Sequence, residues 1–342
     1  MINKDINSVL KTIKEDIKKN EDYKSSYWHG LLDGINLDNY SKEDKKLNGT
    51  FGNISNINLF KSLYHNLFQR ILFYKYDYKK DYIFKEMQDI CSSSDRNLNL
   101  DSLRHVFTHK FLEPIYLKSN KLCVIGDGRL NFSSIILKKY NNISKLYHIN
   151  LPEVLFFELK LLQKLNLLKN DGVKYITSKE QLYEAENNPE IKYLLFSPNS
   201  SNLLIDNNID LFVNIASFQE INKNIINKYL NIIKSNNAFF YHCNRKFKKL
   251  IGGEMFRVDL FDKYINAKVF SGICPWHNLY YSLKPPFLLK YDGIHIHELF
   301  YFGQTKNKKA IDQIKIPFLK TKKFSLFNFL KSVFSKFILG KK

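Results

Sequence analysis

The stretch Leu122-Cys123-Val124-Ile125-Gly126-Asp127-Gly128 carries the clearest signal for the fold of this chain. Its four consecutive apolar residues predict a short buried strand. The glycines predict a tight turn into a helix, expected from Asn131 to Tyr140. Ligands of parallel sheets bind at the carboxyl ends of the strands, where this turn would lie. The turn therefore predicts a place where the backbone approaches a nucleotide-like ligand closely.

The alternation of strand and helix continues along the chain after this turn. Further strands are predicted at 146–149, 193–196, 209–215, 238–242, 269–273 and 298–302, and helices at 152–168, 220–233 and 256–265. Strands that alternate with helices are typical of an α/β protein with a doubly wound, Rossmann-like parallel sheet.

The region before Lys121 has a different pattern. Apolar residues at helical spacing predict helices within 6–13, 59–76 and 103–111, and nothing there alternates as a strand. We therefore divide the chain into a helical region (1–118), a sheet domain (119–305) and a C-terminal tail (306–342). The helical region either covers the site as a lid or builds a homodimer.

Composition limits the partners. The 342 residues include 28 Phe and 21 Tyr, enough for a large core, and carry a formal net charge of +20. Such an excess of positive charge favours anionic surroundings, although a general lysine bias explains it equally well. The sequence contains no nucleic-acid-binding motif, so no nucleic-acid partner is predicted.

The tail from residue 320 to 342 is lysine-rich and interleaved with Phe and Leu. A basic amphipathic helix of this kind suits an anionic membrane surface; the alternatives are a helix packed on the domain and a dimer arm. The sequence has neither a signal-peptide core nor an apolar stretch long enough to span a membrane. The expected location is the cytoplasm, with peripheral contact to the inner membrane face through the tail.

Cysteine and histidine spacing predicts no metal site. Cys91, Cys123, Cys243 and Cys274 are far apart and match neither a zinc knuckle nor a disulfide framework. His295 and His297 share one strand face but lack a clear third ligand.

Polar residues follow the predicted second strand. Asn150 can hydrogen-bond the hydroxyls of a ribose, or it can cap the helix that starts at Pro152. The candidate cofactor-binding residues are Gly126, Asp127, Gly128, Asn150, Ser197 and Asn214.

Two later segments supply candidates for catalysis and substrate binding. Ser217 and Glu220 follow the fourth strand and could act on a substrate, or could form a capping box for the next helix. His242 and Glu220 are the candidate catalytic bases, because a base near neutral pH is needed to remove a proton from a hydroxyl. The candidate substrate-binding residues are Ser217, Gln219, Asn222, Asn244, Arg245 and Trp276.

Five segments in order resemble the bacterial sugar O-methyltransferases, which are class I S-adenosylmethionine enzymes. They are Val-Ile-Gly-Asp-Gly at 124–128, Ile-Asn-Leu-Pro-Glu-Val-Leu at 149–155, Asp-Leu-Phe-Val-Asn-Ile-Ala-Ser-Phe-Gln-Glu-Ile-Asn at 210–222, Phe-Tyr-His-Cys-Asn-Arg at 240–245 and Pro-Trp at 275–276. The resemblance covers residues 115–303. Asn150 stands where the class usually has an acidic residue, and the turn lacks the class's third glycine.

The resemblance implies S-adenosylmethionine as cofactor and a sugar hydroxyl as acceptor, in the synthesis of a surface polysaccharide or other glycan. The acceptor could be free, nucleotide-linked or lipid-linked. A divalent metal could replace the general base but is not predicted. The alternative is a non-catalytic binding or scaffold protein that keeps the methyltransferase fold.

Overall fold

An eight-stranded sheet lies at the centre of the protein. The computed structural model describes residues 4–39, 42–44, 59–73, 78–168, 172–277, 279–281, 288–291 and 293–303. The strands of the central sheet are β1 (Lys121–Ile125), β2 (Lys145–Ile149), β3 (Val173–Tyr175), β4 (Tyr193–Phe196), β5 (Leu211–Ile215), β6 (Phe239–Arg245), β9 (Ala267–Ile273) and β12 (His295–Tyr301). Two small hairpins pair β7 (Phe247–Lys249) with β8 (Met255–Arg257) and β10 (Leu279–Tyr281) with β11 (Leu288–Lys290).

The spatial order of the central sheet is β3-β4-β2-β1-β5-β6-β12-β9. Strands β1 to β6 run parallel, and β12 is antiparallel to both β6 and β9. The chain leaves β1 towards β2 on one side, whereas β5 and β6 extend the sheet on the other side. This reversal makes the carboxyl ends of β1 and β5 the topological switch point, where ligands of such sheets bind.

Helices cover both faces of the sheet. They are α1 (Lys4–Asp16), α2 (Ser26–Leu32), α3 (Leu59–Leu72), α4 (Tyr82–Ser93), α5 (Leu100–Tyr116), α6 (Ser133–Lys139), α7 (Pro152–Leu165), α8 (Lys179–Asn187) and α9 (Lys223–Ser235). Side chains of β1 alternate between two apolar clusters: Leu122 packs with α5, α6 and α7, and Cys123 packs with α8 and α9. The predicted doubly wound, Rossmann-like α/β sheet is confirmed.

The helices before β1 continue the core on one face. Phe107 and Leu112 of α5 are buried in the same cluster as Leu122. Trp28 of α2 packs against Leu151 and Val154 at the start of α7. Helix α2 is thereby held beside the carboxyl end of β2.

The predicted helix at 256–265 is wrong. Residues Met255–Arg257 form β8 and pair with β7, and a short 3-10 helix follows at Val258–Phe261. The hairpin turn passes through Gly253, whose φ of 90° suits glycine. Although the apolar residues have helical spacing, residues 255–257 pair with β7 as a strand instead.

Several elements are not visible in the sequence pattern, namely α2, α4, β3 and α8. The tail at 306–342, with its expected membrane or dimer contact, lies outside the described residues. Among the residues that the structure describes, no helix is both long and apolar enough to cross a membrane.

Candidate active site

A pocket of about 290 Å³ opens at the carboxyl ends of β1, β2, β4, β5 and β6. One part of its lining, the strand-end wall, comes from the ends of these strands and the turns that follow them. The other part, the remote wall, comes from distant segments. The strand-end wall comprises residues 125–128, 149–151, 198, 215–217, 219–221 and 245, and the remote wall comprises Tyr23, Tyr27, Trp28, Asp101, Arg104, His105, His277, Tyr291 and His295. Asn131 after the glycine turn and Ile225 and Tyr229 of α9 complete the lining.

The glycine turn forms the part of the strand-end wall that follows β1. Gly126 and Gly128 have φ angles of 71° and 78°, which side chains rarely tolerate. A Cβ atom added at Gly126 would lie 2.3 Å from the Ser217 hydroxyl oxygen. The Asp127 carboxylate accepts hydrogen bonds from the backbone N–H groups of Phe132 (2.8 Å) and Ser133 (2.6 Å). Asp127 therefore holds the turn against the start of α6 as well as lining the pocket.

Asn214 and Ser217 support this turn through the carbonyl oxygen of Ile125. The Asn214 amide donates to that oxygen at 2.8 Å, and the Ser217 hydroxyl donates to it at 3.1 Å. Asn214 is fully buried and does not line the pocket, whereas Ser217 does. Ser217 makes no side-chain cap bond to the helical turn after it. The capping-box alternative for Ser217 and Glu220 is therefore wrong.

Asn150 lies in the strand-end wall after β2 and is 9% exposed. Its side-chain oxygen accepts from the backbone N–H of Leu151 at 2.9 Å, and its amide donates to Glu158 at 3.2 Å. The amide retains a second N–H and the oxygen a second lone pair, which can bind a ligand hydroxyl. Burial raises the pKa of Glu158 well above its usual range. The N-cap residue of α7 is Leu151.

Ser197, a predicted cofactor-binding residue, lies one position before the pocket-lining Pro198. It is fully buried, and its hydroxyl group lies 3.4 Å from that of Ser200. Ser197 thus contacts its own loop and is not in the pocket lining.

Glu220 brings a carboxyl group into the strand-end wall. It pairs with the Lys248 ammonium at 3.0 Å, and its backbone carbonyl accepts from Ser25 at 2.6 Å. Burial raises the pKa of Glu220, and the Lys248 and Arg245 cations oppose part of the rise. Burial and the charge of Glu220 together raise the pKa of the neighbouring Tyr27 to about 12. The pocket therefore holds a carboxylate that is more basic than an exposed one.

His242 does not line the pocket. It is fully buried in β6, contacts the rings of Phe261 and Phe300, and its Nε2 atom lies 3.1 Å from the Glu298 carboxylate. Burial lowers the pKa of His242. Strand β6 continues three residues beyond His242 to Arg245, because β12 pairs with its whole length. The prediction that His242 is the catalytic base does not agree with this position.

The other predicted substrate-binding residues divide into two groups. Gln219 and Arg245 line the pocket, and the Gln219 side chain accepts from the backbone N–H of Arg245 at 2.8 Å. Asn222, Asn244 and Trp276 lie outside the lining. Asn222 donates to the carbonyl of Lys24, Asn244 donates to Asn214, and the Trp276 indole donates to Thr108 of α5. The alternative that Trp276 is a core residue agrees with the structure.

Helix α5 supplies the polar part of the remote wall. Arg104 is 2% exposed; its guanidinium group is paired with Asp101 and donates to the carbonyl oxygens of Trp276 (3.1 Å) and Leu279 (2.9 Å). The same group lies 4.6 Å from the ring centroid of Tyr291. Arg104 therefore ties Trp276, Leu279 and Tyr291 to α5.

Two histidines of the remote wall hold buried nitrogens without a protein partner. Among the described residues, Nδ1 of His105 and Nδ1 of His295 accept or donate no hydrogen bond. Burial lowers the pKa of His105, and burial with the charge of Arg245 lowers the pKa of His295 to about 3. Both rings are neutral at neutral pH and can bond a polar ligand.

The sequence did not predict the remote wall as part of the site, and it offered His295 only as a weak candidate for a metal ligand. A usable signal existed only in α5, where Asp101, Arg104 and His105 interrupt an apolar helix at positions i, i+3 and i+4 and therefore share one face. Tyr27 and Trp28 belong to α2, and Tyr23 ends a short 3-10 helix at Ile17–Tyr23; the pattern predicted neither element.

Comparisons with known proteins find similarity only to the folds of solved structures. No protein-family model matches the chain. No curated protein matches it either.

Several solved structures of methyltransferases are similar in fold. The methyltransferase domain of bacterial CtHen1 is 12% identical, with a TM-score of 0.35 over 59% of this chain and 100% of that chain. A SAM-dependent methyltransferase from Aquifex aeolicus is 16% identical, with a TM-score of 0.30 over 58% and 96%. A SAM-dependent O-methyltransferase from Thermotoga maritima is 11% identical, with a TM-score of 0.31 over 58% and 66%. Sequence identities and TM-scores this low do not indicate which substrate this protein uses.

Proposed function

We propose that this protein is an S-adenosylmethionine-dependent O-methyltransferase that acts on a sugar hydroxyl during glycan synthesis. The proposal rests on the glycine turn at the switch point of the sheet, which opens into a pocket that also holds the partly buried carboxyl group of Glu220. The resemblance of the segments around these residues to sugar O-methyltransferases supports the same assignment.

The strand-end wall fits the proposed cofactor. Gly126 and Gly128 have no side chains and adopt positive φ angles, so their backbone borders the pocket directly. The Asn150 side chain can still form a hydrogen bond with a ribose hydroxyl. Ile149 and Leu151 provide apolar surface next to Asn150, as an adenine ring requires. When bound, S-adenosylmethionine supplies an electrophilic methyl group.

Glu220 is the proposed general base. An acceptor hydroxyl has to lose its proton as it is methylated, and a carboxylate with a raised pKa accepts that proton more readily than an exposed one. The ion pair with Lys248 fixes the orientation of the carboxylate. The pocket itself aligns the two reactants and replaces the surrounding water.

The remote wall fits a sugar acceptor. Asp101, His105 and His295 offer hydrogen-bonding groups for several hydroxyls, and Tyr27 and Tyr291 offer aromatic surface for a sugar ring. The guanidinium of Arg245 would favour an acceptor that carries a phosphate, as nucleotide-linked and lipid-linked sugars do.

The proposal is tested by incubating the full chain with methyl-labelled S-adenosylmethionine and free, nucleotide-linked and lipid-linked sugars. The expected result is label in a sugar methyl ether, with phosphorylated acceptors preferred. Binding of the cofactor without label in any sugar would overturn the sugar assignment. Failure to bind the cofactor would favour a scaffold protein instead.

A further inference from the structure

Cys243, Cys274 and His277 form a buried cluster next to the pocket. The Nδ1 atom of His277 lies 3.5 Å from the sulfur of Cys243 and 3.6 Å from that of Cys274, and the three atoms all lie within 4.8 Å of one another. Both cysteines are fully buried and His277 is 5% exposed. His277 belongs to the pocket lining, and neither cysteine does.

The sheet brings these residues together from distant places in the sequence. Cys243 lies in β6, and Cys274 follows β9, with β12 between these two strands. The backbone N–H of Cys274 donates to the carbonyl of His295 in β12 at 2.8 Å. A turn from Cys274 to His277 then brings the imidazole beside both sulfurs. The sequence expectation of no metal site overlooked this cluster, because only strand pairing joins its two cysteines.

Both thiols of the cluster lie at hydrogen-bonding distance from a single imidazole nitrogen. A neutral imidazole nitrogen has one lone pair or one N–H group, so it satisfies only one of two thiols at a time. A tetrahedral zinc ion with Zn–S bonds of about 2.3 Å and Zn–N bonds of about 2.0–2.1 Å places sulfur and nitrogen about 3.6 Å apart. The two observed sulfur–nitrogen distances agree with that value.

We propose that Cys243, Cys274 and His277 bind a zinc ion in the wall of the pocket. Two thiolates and one imidazole are the soft ligands that zinc prefers. Two thiolate charges neutralise the divalent ion, so the complex adds no net charge to the buried surroundings. Three protein ligands leave one tetrahedral position for water or a ligand oxygen.

The ion would fix the pocket wall next to the acceptor. His277 would be held through Nδ1, and with it the turn from Cys274 that Arg104 contacts at the carbonyl of Trp276. Neither His295 nor His297 belongs to the cluster. The site is therefore distinct from the pair of histidines that the sequence suggested.

The first test measures zinc in the untagged full chain, purified without chelator, by mass spectrometry of the metal. We expect about one zinc per chain, as for other sites with cysteine and histidine ligands. Cys243→Ser and Cys274→Ser should each lower zinc affinity by more than the roughly 10–100-fold typical of residues that only orient a ligand. Cys91→Ser is the matched control, since Cys91 is also buried but lies in α4, and it should keep its zinc.

The second test needs no variant and so holds even if the variants fail to fold. The wild-type chain is loaded with Co²⁺ after removal of zinc, and its absorption is recorded. Thiolate-to-cobalt charge-transfer bands and intense tetrahedral d–d bands are expected. Their absence, a wild-type chain that binds no zinc, or an oxidised Cys243–Cys274 pair in freshly isolated protein would overturn the proposal. Neither test depends on methyltransferase activity.

Discussion

Gly126, Asn150 and Ser217 of the strand-end wall come from turns that directly follow β1, β2 and β5, whereas Trp28 and His105 of the remote wall come from helices far away in the sequence. The two walls also differ in hydrogen bonding. Polar groups of the strand-end wall bond to neighbouring protein groups, as Ser217 does to the carbonyl of Ile125 and Asp127 to the backbone at the start of α6. In the remote wall, Nδ1 atoms of His105 and His295 have no partner among the described residues.

This difference suits the two walls to different ligands. Internal hydrogen bonds keep the strand-end wall in one shape before any ligand binds, which suits a cofactor common to every turnover. Unused polar atoms in the remote wall can bond a ligand that arrives there, which suits the acceptor. Mutations in the two walls should therefore affect different kinetic constants.

The largest effect is expected where the proposed cofactor and acceptor meet, at Glu220. Glu220→Gln keeps the shape but removes the base, so kcat should fall about 10²–10⁴-fold. The affinity for S-adenosylmethionine, measured by calorimetry, should stay unchanged. Glu180→Gln on α8 outside the pocket is the control. A Glu220→Gln enzyme with full kcat would show that another group removes the proton.

The dependence of the reaction on pH should report the same group. Because burial raises the pKa of Glu220, the base is lost as pH falls through a value above that of an exposed carboxyl group. Below that value, kcat/KM should fall about tenfold per pH unit. The measurement is a pH profile of wild type, with its lower limb absent in Glu220→Gln. A wild-type profile without a lower limb would contradict the role of Glu220.

Glu298, the partner of His242 and outside the pocket lining, should affect stability instead of catalysis. Burial alone would raise the pKa of Glu298, but hydrogen bonds from His242, Ser271 and Lys268 outweigh burial and lower it to about 2. Ionised Glu298 therefore stabilises the fold fully above its ordinary pKa of 4.5, and this contribution is lost as pH falls from there towards 2.

Glu298→Gln should lower the free energy of unfolding by about 1–3 kcal/mol at neutral pH, and by less in acid. Urea unfolding at both pH values measures this difference, with Glu180→Gln again as the control. Little change in kcat per folded molecule is expected. A large loss of kcat in a stable Glu298→Gln variant would return His242 to the list of catalytic candidates.

In the remote wall, His105→Gln tests acceptor binding. The change removes a pocket-lining ring whose Nδ1 has no hydrogen-bond partner among the described residues, so the KM for the acceptor should rise about tenfold, equivalent to one hydrogen bond. The affinity for the cofactor should not change. The exposed His29 provides the control variant His29→Gln. A rise confined to the dissociation constant of the cofactor would contradict the division between the walls.

In the strand-end wall, Asn150→Ala is expected to have the smallest of these effects. Part of the Asn150 side chain is already bonded to Leu151 and Glu158, so the loss of its cofactor contact should weaken cofactor binding about threefold to tenfold. Titration calorimetry measures it, with the exposed Asn187→Ala as control. An unchanged affinity would mean that Asn150 serves only to shape the turn.

The contrast between the walls also explains what the sequence could predict. Strand β1 and the glycine turn are local signals, and Gly126, Asn150, Gln219 and Glu220 are in the pocket as expected. The prediction for His242 fails because β6 continues three residues beyond its predicted end, and pairing with β12 is not visible in a local stretch of sequence. The remote wall and the Cys243–Cys274–His277 cluster depend on contacts between distant segments, which one sequence does not reveal.

The proposed function requires that the pocket at the switch point binds S-adenosylmethionine. Titration calorimetry of the full chain with S-adenosylmethionine and S-adenosylhomocysteine tests it most directly. We expect one site per chain with a dissociation constant in the range of about 1–100 μM. The absence of binding at about 1 mM of either compound would contradict it.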